Sequence, residues 1–132
     1  MKRGLVALLV LLPLPAFAAD STHAACTGVA SIDAGGGLKK LRKLVVLYDE
    51  QRAGADQRTT TIRTSYNGRT YDGTTTTKAA PSIAIKLARD RTDVLFDGTA
   101  EYLEGGGLEL AGTYLLDGRK TKLVAVLECT EV

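Results

Sequence analysis

Large apolar residues alternate with smaller or charged ones through much of the second half of the chain. Within residues 82–88, the side chains of Ile83, Ile85 and Leu87 fall on one face. A period of two residues is that of a β-strand with one buried face. The segment is therefore predicted to be a strand, with Pro81 at its start.

Three later segments show the same alternation, at residues 93–103, 108–116 and 120–129. Gly98 and Gly112 interrupt the apolar faces of the first two. Glycine inside a strand often marks a bulge or a close approach of two backbones, so we expect sharp curvature there, as in a small closed sheet. The side chains predicted to share a buried face are Val94, Phe96, Ala100 and Tyr102 in the first segment, Leu108, Leu110, Tyr114 and Leu116 in the second, and Leu123, Ala125, Leu127 and Cys129 in the third.

Turn sequences separate the predicted strands. Asn67-Gly68 and Asp117-Gly118 combine residues that tolerate the positive φ required at both central positions of a type I′ turn. Residues 104–107 form a looser, glycine-rich turn. Threonine-rich segments at residues 59–66 and 70–77 flank the Asn-Gly turn, and β-branched threonine favours strands. These patterns predict antiparallel strands joined mainly by hairpins.

Two segments near the N-terminus complete the pattern. A first strand is predicted over Cys26–Asp33, with a glycine loop after it. Residues 38–51 are ambiguous, because their large apolar residues have helical spacing while the continuous run 44–48 suits a buried strand. We favour a strand over residues 42–51 and keep the helix as the alternative. The residues with helical spacing are Leu38, Leu41, Val45 and Tyr48.

Together these segments predict an all-β fold, a small antiparallel barrel or sandwich of about eight strands, mostly connected by hairpins. Residues 26–132 are expected to form one β domain, since their number is typical of a single domain. Residues 19–25 are expected to be a flexible lead-in. No later segment is apolar enough to predict a membrane span.

Residues 1–18 are predicted to be a signal peptide. Lys2 and Arg3 form a short basic region, an apolar run follows over residues 4–12, and the small-x-small pattern of a cleavage site ends at Ala18. The apolar run is shorter than the roughly 20 residues that cross a bilayer. We therefore expect a protein that is periplasmic or secreted.

The two cysteines, Cys26 and Cys129, are predicted to form a disulfide, because an even number in an oxidising compartment favours pairing. In the chain-entropy model, a bridged loop of about 100 residues is stabilised by roughly 4.7 kcal/mol. The bridge requires α-carbons within about 7 Å, so the first and last strands must be neighbours. This requirement favours barrel closure, although a sandwich satisfies it too. A redox pair is the alternative, but no C-x-x-C motif supports it.

The formal net charge of +2 belongs to the predicted leader, because Lys2 and Arg3 account for it. The remaining chain is neutral, which argues against binding nucleic acid. Within that chain, residues 39–91 carry +7 and residues 92–132 carry −5. One interpretation is complementary pairing between strands of the two halves. The other is a bipolar surface that recognises a partner.

Residues suited to catalysis are scarce. The single histidine, His23, lies in the predicted lead-in, which argues against a well-held Ser-His-Asp triad and against a multi-histidine zinc site. The glycine runs lack the Lys-Ser/Thr of a phosphate-binding loop. Asp97 and Glu101 are the best pair of carboxylates for a hydrolase, but we favour a solvated strand face as their explanation. We therefore expect that the protein is not an enzyme and that it binds no metal and no cofactor.

The Asn-Gly hairpin is the best candidate contact surface, since arginine and tyrosine are enriched at interface hot spots. The predicted function is a non-catalytic binding or inhibitory module for a protein or glycan of the cell envelope, or for a secreted macromolecule. A carrier of a small apolar ligand inside a barrel is the alternative. A carboxylate-based hydrolase is less favoured. The predicted partner-binding residues are Arg58, Arg63, Tyr66, Arg69 and Tyr71.

Overall fold

The structure, a computed structural model, describes residues 21–33, 35, 39–54, 56–78 and 81–132. The predicted signal peptide, residues 19–20 of the predicted lead-in and most of the first glycine loop lie outside these ranges. The described residues form eight β-strands and no helix. The strands are β1 (Ser21–Asp33), β2 (Lys39–Ala53), β3 (Gln57–Tyr66), β4 (Arg69–Lys78), β5 (Ile83–Ala88), β6 (Val94–Leu103), β7 (Gly107–Leu116) and β8 (Arg119–Glu131).

The strands form one closed antiparallel barrel in which each strand pairs with its neighbours in sequence. β1 closes the barrel against β8, where Cys26 is the register partner of Cys129. The two cysteines form a disulfide, with their α-carbons 3.9 Å apart. The predicted all-β fold with bridged first and last strands is confirmed. Of the two predicted architectures, barrel and sandwich, the structure is a barrel. Such a bridge is typical of proteins in oxidising compartments.

Alternation along the strands decides which side chains fill the barrel. In β5, Ile83, Ile85 and Leu87 are buried, as predicted. The faces predicted for β7 and β8 also turn inward, with Cys129 partly buried against the core. On β6, Phe96 and Ala100 are buried and Tyr102 packs against the core, but the prediction was wrong for Val94, which is only partly buried and pairs with Ala88 beyond a shift in register. β2 is a strand throughout, so the helical alternative is wrong for residues 39–51.

β1 begins earlier than the sequence pattern predicts. Residues 21–25, expected in a flexible lead-in, belong to this strand and pair with β2 from Ser21 opposite Gln51 onward. Ala24 is buried in the barrel. The expectation was wrong because these residues are small or polar, and backbone pairing with β2 and β8 holds them rather than a large apolar face.

Gly98 and Gly112 bring the backbones of β6 and β7 close together. They are direct register partners. A Cβ atom added to Gly98 would lie 2.2 Å from the carbonyl oxygen of Ala111, and one added to Gly112 would lie 2.5 Å from the carbonyl oxygen of Asp97. Only glycine fits such an approach. The predicted link between these glycines and tight curvature agrees with the closed barrel.

A bulge in β6 adds one residue to the core. Leu87 pairs with Phe96 and Ala88 pairs with Val94, so Leu95 has no register partner on β5. Leu95 and Phe96 are both buried. The extra residue breaks the period of two, which is why simple alternation did not place Leu95 in the core.

Tyr66 crosses the barrel at the end that holds the Asn67-Gly68 and Asp117-Gly118 turns, here called the hairpin end. Asn67 and Asp117 both have positive φ, near 50°, as type I′ turns require. The hydroxyl of Tyr66 donates to Asp117 Oδ1 at 3.1 Å and accepts from the Asp117 backbone N–H at 3.2 Å. β3 and the β7–β8 turn lie on opposite walls, so this side chain ties the two turns across the opening.

The other opening, which holds the cystine and is called the disulfide end, is also bridged by aromatic rings. Tyr48 from β2 and Tyr102 from β6 stack with centroids 4.6 Å apart. Because β2 and β6 lie on opposite walls, the rings meet across the interior. None of the described segments is a helix of the length and apolar character needed to cross a membrane.

Candidate binding surface

The interior of the barrel is filled by side chains. The enclosed space among its core residues is about 10 Å³. A cavity needs about 10–15 Å³ of such space to hold one water molecule. In this conformation the described core therefore leaves no room for a small apolar ligand. The residues around this space are Leu44, Val46, Thr64, Leu87, Leu95, Phe96, Leu110, Tyr114 and Leu123.

A buried ion-pair cluster lies at the disulfide end, around the carboxylate of Glu50. This residue is only 6% exposed. Tyr48 donates its hydroxyl to Glu50 Oε1 at 2.6 Å, and Arg52 donates Nε–H to Oε2 at 3.0 Å. Arg58 Nη1 lies 3.8 Å from Oε1. Two guanidinium groups and one hydroxyl thus surround a single inward-facing carboxylate.

The cluster keeps Glu50 ionised. Burial alone would raise the pKa of the carboxyl, but hydrogen bonds from Tyr48 and Arg52, together with the charges of Arg58 and Arg52, lower the pKa below its ordinary value. Burial, followed by the neighbouring carboxylate, raises the pKa of Tyr48, against opposing effects of Thr60 and Arg58. This arrangement stabilises a fixed anion rather than a proton donor near neutral pH.

Asp97 and Glu101 lie on the outer wall rather than in a cleft. Asp97 is exposed and lies 4.0 Å from Lys86, its register partner on β5. Glu101 is partly exposed and faces Glu109 across β6 and β7. A glycosidase needs two carboxyls in different environments. Among the described residues, no group of three or more histidine, cysteine, aspartate or glutamate side chains is arranged to hold a metal ion.

The predicted partner-binding residues do not form one surface. Arg58 is buried beside Glu50 at the disulfide end. Tyr66 closes the hairpin end, and the buried Tyr71 donates its hydroxyl to Asp93. These three side chains therefore have structural partners inside the molecule.

The two remaining predicted arginines are exposed. Arg69 Nη1 lies 3.9 Å from Asp93, at the hairpin end. Arg63 stands on the outer wall of β3, with its side chain 55% exposed and its Nε 3.8 Å from Asp72. The Arg63–Asp72 pair is exposed on both sides, and exposed ion pairs contribute little to stability, so Arg63 can exchange partners at small cost.

Arg63 borders a groove that opens between β2 and β3. Ladder pairing of these strands ends at Val46 opposite Thr64. Beyond that pair, the Thr64 hydroxyl donates to the Val45 carbonyl at 2.8 Å, and the Arg42 guanidinium lies 4.6 Å from the centre of the Tyr66 ring. Side-chain contacts thus replace backbone pairing here.

This β2–β3 groove has a volume of about 640 Å³. Its floor reaches the interior side chains Leu44 and Tyr114, so the gap between the strands extends down to the core. Val45 and Leu47 are 53% and 48% exposed. The residues that define its walls are Arg42, Lys43, Val45, Leu47, Arg63 and Ser65.

No family model, curated protein or solved structure matches this chain.

A second apolar area, here called the seam patch, covers the junction of β8, β1 and β2. It consists of Val29, Leu41, Val124 and Val126, all at least half exposed. The pairs Thr27–Glu128 and Ala30–Ala125 place Val29 opposite Val126 on the outer wall. Contiguous exposed apolar groups mark interaction sites more often than isolated ones do.

The sequence pattern indicated both exposed apolar areas, the wall of the β2–β3 groove and the seam patch. The runs at residues 44–48 and 123–127 are apolar at every position, whereas most strands of the chain alternate. In a barrel with one packed face, such a run must expose every second side chain. A continuous apolar run such as residues 44–48 also suits a buried strand, so the sequence pattern alone did not mark Val45 and Leu47 as surface residues.

The uneven charge along the chain is only partly neutralised between its halves. Lys86–Asp97 is a cross-strand pair that joins the basic half to the acidic half, and Arg69 and Arg89 both approach Asp93. The lining of the β2–β3 groove contains three cationic residues and no acidic one. The basic half thus keeps a cationic surface at the groove.

Proposed function

We propose that the protein is an exported, non-catalytic binding module whose β2–β3 groove binds an acidic segment of a cell-envelope or secreted protein. The observation that carries this proposal is the combination, in one concave site outside a filled barrel, of three cationic and two half-exposed apolar side chains. The disulfide and the predicted signal peptide support an extracytoplasmic location.

The charge of the groove favours an acidic partner. Arg42, Lys43 and Arg63 contribute three positive charges, and Asp72 beside Arg63 is the nearest acidic group that forms an ion pair with them. Arginine binds carboxylates through two parallel hydrogen bonds, which adds geometric selectivity to the charge. A carboxylate of the partner can displace Asp72 from Arg63 at small cost, because that ion pair is exposed.

The apolar wall favours a polypeptide over a glycan. Val45 and Leu47 point outward from the same strand, two residues apart. An extended peptide presents every second side chain with the same repeat, about 7 Å, so its apolar residues can contact both positions. Ser65 supplies a hydroxyl on the opposite wall. A segment that combines acidic and large apolar residues therefore matches the groove.

Peptide selection tests this proposal. The exported protein is immobilised and used to select from a display library of short random peptides. We expect the selected peptides to be rich in aspartate and glutamate next to large apolar residues. Arg63→Glu and Leu47→Asp are each expected to abolish the enrichment, since the first reverses a charge in the groove and the second places a carboxylate on its apolar wall.

The control variant is Ala84→Asp, because Ala84 is exposed on β5, away from the groove. It should select the same peptides as the unaltered protein. Selection of basic or neutral peptides would contradict the proposal, as would acidic peptides that bind all three variants equally. Circular dichroism of each variant separates lost binding from lost folding.

A further inference from the structure

The outer wall carries a row of four side chains whose chemistry changes in order across the barrel seam. Glu109 on β7 pairs with Val126 on β8, which lies opposite Val29 on β1, which in turn pairs with Lys43 on β2. The two valines are 58% and 57% exposed. The row therefore has an acidic end, an apolar centre and a basic end.

The two charged ends of this row have no counterion among the residues that the structure describes. Among the described residues, neither Glu109 nor Lys43 has an ion-pair partner within 4.0 Å. Glu109 instead faces Glu101 across the β6–β7 ladder. Like charges directly opposite each other on a sheet are destabilising. A cation beside Glu109 would relieve this repulsion.

We propose that a second copy of the chain covers the seam patch, related by a two-fold axis that runs parallel to the strands between β8 and β1. This axis places Val126 of one copy over Val29 of the other. It also places Glu109 over the other copy's Lys43, and it does so twice, because a two-fold contact is self-complementary. One symmetry operation thus pairs every member of the row with a suitable partner.

Neighbouring rows fit the same axis. In the next row, Leu41 is 74% exposed and would lie over the small side chain of the other copy's Ala111. In the row after that, Lys122 and Asp33 are register partners within one copy. The axis places Lys122 of each copy over Asp33 of the other, which gives two opposite-charge contacts. An axis along β1 itself would instead place Lys43 over Val126, burying a charge on an apolar side chain, which is costly.

Charge reversal tests the axis directly. The exported protein is studied by sedimentation equilibrium at low ionic strength, and we expect reversible dimers. Lys43→Glu and Glu109→Lys should each weaken dimerisation about tenfold, because each reverses two symmetry-related contacts. The combined variant Lys43→Glu/Glu109→Lys should restore the dimer, since it exchanges the charges without removing the pairs.

Arg91→Glu is the matched control, because Arg91 is exposed in the β5–β6 turn, away from the seam. It should dimerise like the unaltered protein. A protein that stays monomeric up to near-millimolar concentration would overturn the proposal. A dimer that tolerates both single reversals, or that the combined variant fails to restore, would overturn it as well.

The proposed dimer and the proposed peptide-binding groove can be tested independently. Lys43 lies on the ridge between the two sites, but Glu109 lines only the seam and Arg63 only the groove. Glu109→Lys should therefore weaken the dimer about tenfold and leave peptide selection unchanged. Arg63→Glu should abolish peptide selection and leave dimerisation unchanged.

Discussion

Removal of the Cys26–Cys129 disulfide should destabilise the protein by an amount comparable to the total stability of a small domain. The cysteines are 103 residues apart in sequence, so the bridge restricts nearly the whole unfolded chain. For a loop of this size, the chain-entropy model gives about 4.7 kcal/mol. The native barrel does not need the bridge to keep β1 beside β8, because the two strands already form a ladder. The effect should therefore arise mainly in the unfolded state.

The substitution Cys26→Ala/Cys129→Ala adds a second, smaller effect. Cys26 is fully buried, and loss of its sulfur atom removes packing worth about 1 kcal/mol. The expected total is about 5 to 6 kcal/mol, against a typical domain stability of about 5–15 kcal/mol. Reduction of the unaltered protein isolates the entropic part, because the sulfur atoms stay in place.

Guanidinium unfolding followed by circular dichroism measures both changes. We expect reduced protein to lose about 4 to 5 kcal/mol and the double variant to lose about 1 kcal/mol more. A loss below about 1 kcal/mol on reduction would refute the reasoning, because the unfolded chain would then gain little freedom when the bridge opens.

Further predictions concern the buried charge and the close backbone approach. Glu50→Ala should cost about 3 kcal/mol in unfolding free energy, because it leaves the buried Arg58 without its carboxylate; similar stability of Glu50→Ala and the unaltered protein would contradict this. Since the pKa of Glu50 is lowered in the folded state, its contribution is complete above pH 4.5 and disappears as the pH falls through the lowered value. Acid titration of unfolding should therefore show a shallower loss in Glu50→Gln than in the unaltered protein. Gly98→Ala should cost about 1–3 kcal/mol by thermal unfolding, since its Cβ would lie 2.2 Å from a carbonyl oxygen, whereas the exposed Thr99→Ala should change little.

Local sequence rules predicted most of the strands because each strand of this barrel pairs with the next one in sequence. Period-two alternation located β5 to β8, and Asn-Gly and Asp-Gly located two turns that have the expected positive φ. The requirement that cysteines near both ends meet then brought the first and last strands together. Local pattern failed for residues 21–25 and for Leu95, because ladder pairing and a bulge, rather than side-chain periodicity, place these residues.

The candidate binding surface was harder to predict from the sequence than the fold. Arg63 was predicted as a partner-binding residue, and it does line the β2–β3 groove. The groove itself exists because ladder pairing stops at Val46 and Thr64, which depends on how β2 and β3 diverge in space. Tyr66 and Tyr71 were predicted to meet a partner, but their hydroxyls bind Asp117 and Asp93. Those contacts join residues 51 and 22 positions apart and leave no trace in a local pattern.

Site-specific photocrosslinking in cells that produce the protein tests the central proposal, that the β2–β3 groove is the binding site, most directly. A photoreactive residue at Ser65 lies on the groove wall, and one at Ala84 lies on the outer face of β5. We predict that position 65 crosslinks to an acidic protein segment, identified by mass spectrometry, that Arg63→Glu abolishes this product, and that position 84 gives none. Equal products from both positions, a segment without acidic residues, or no product from position 65 would contradict the account.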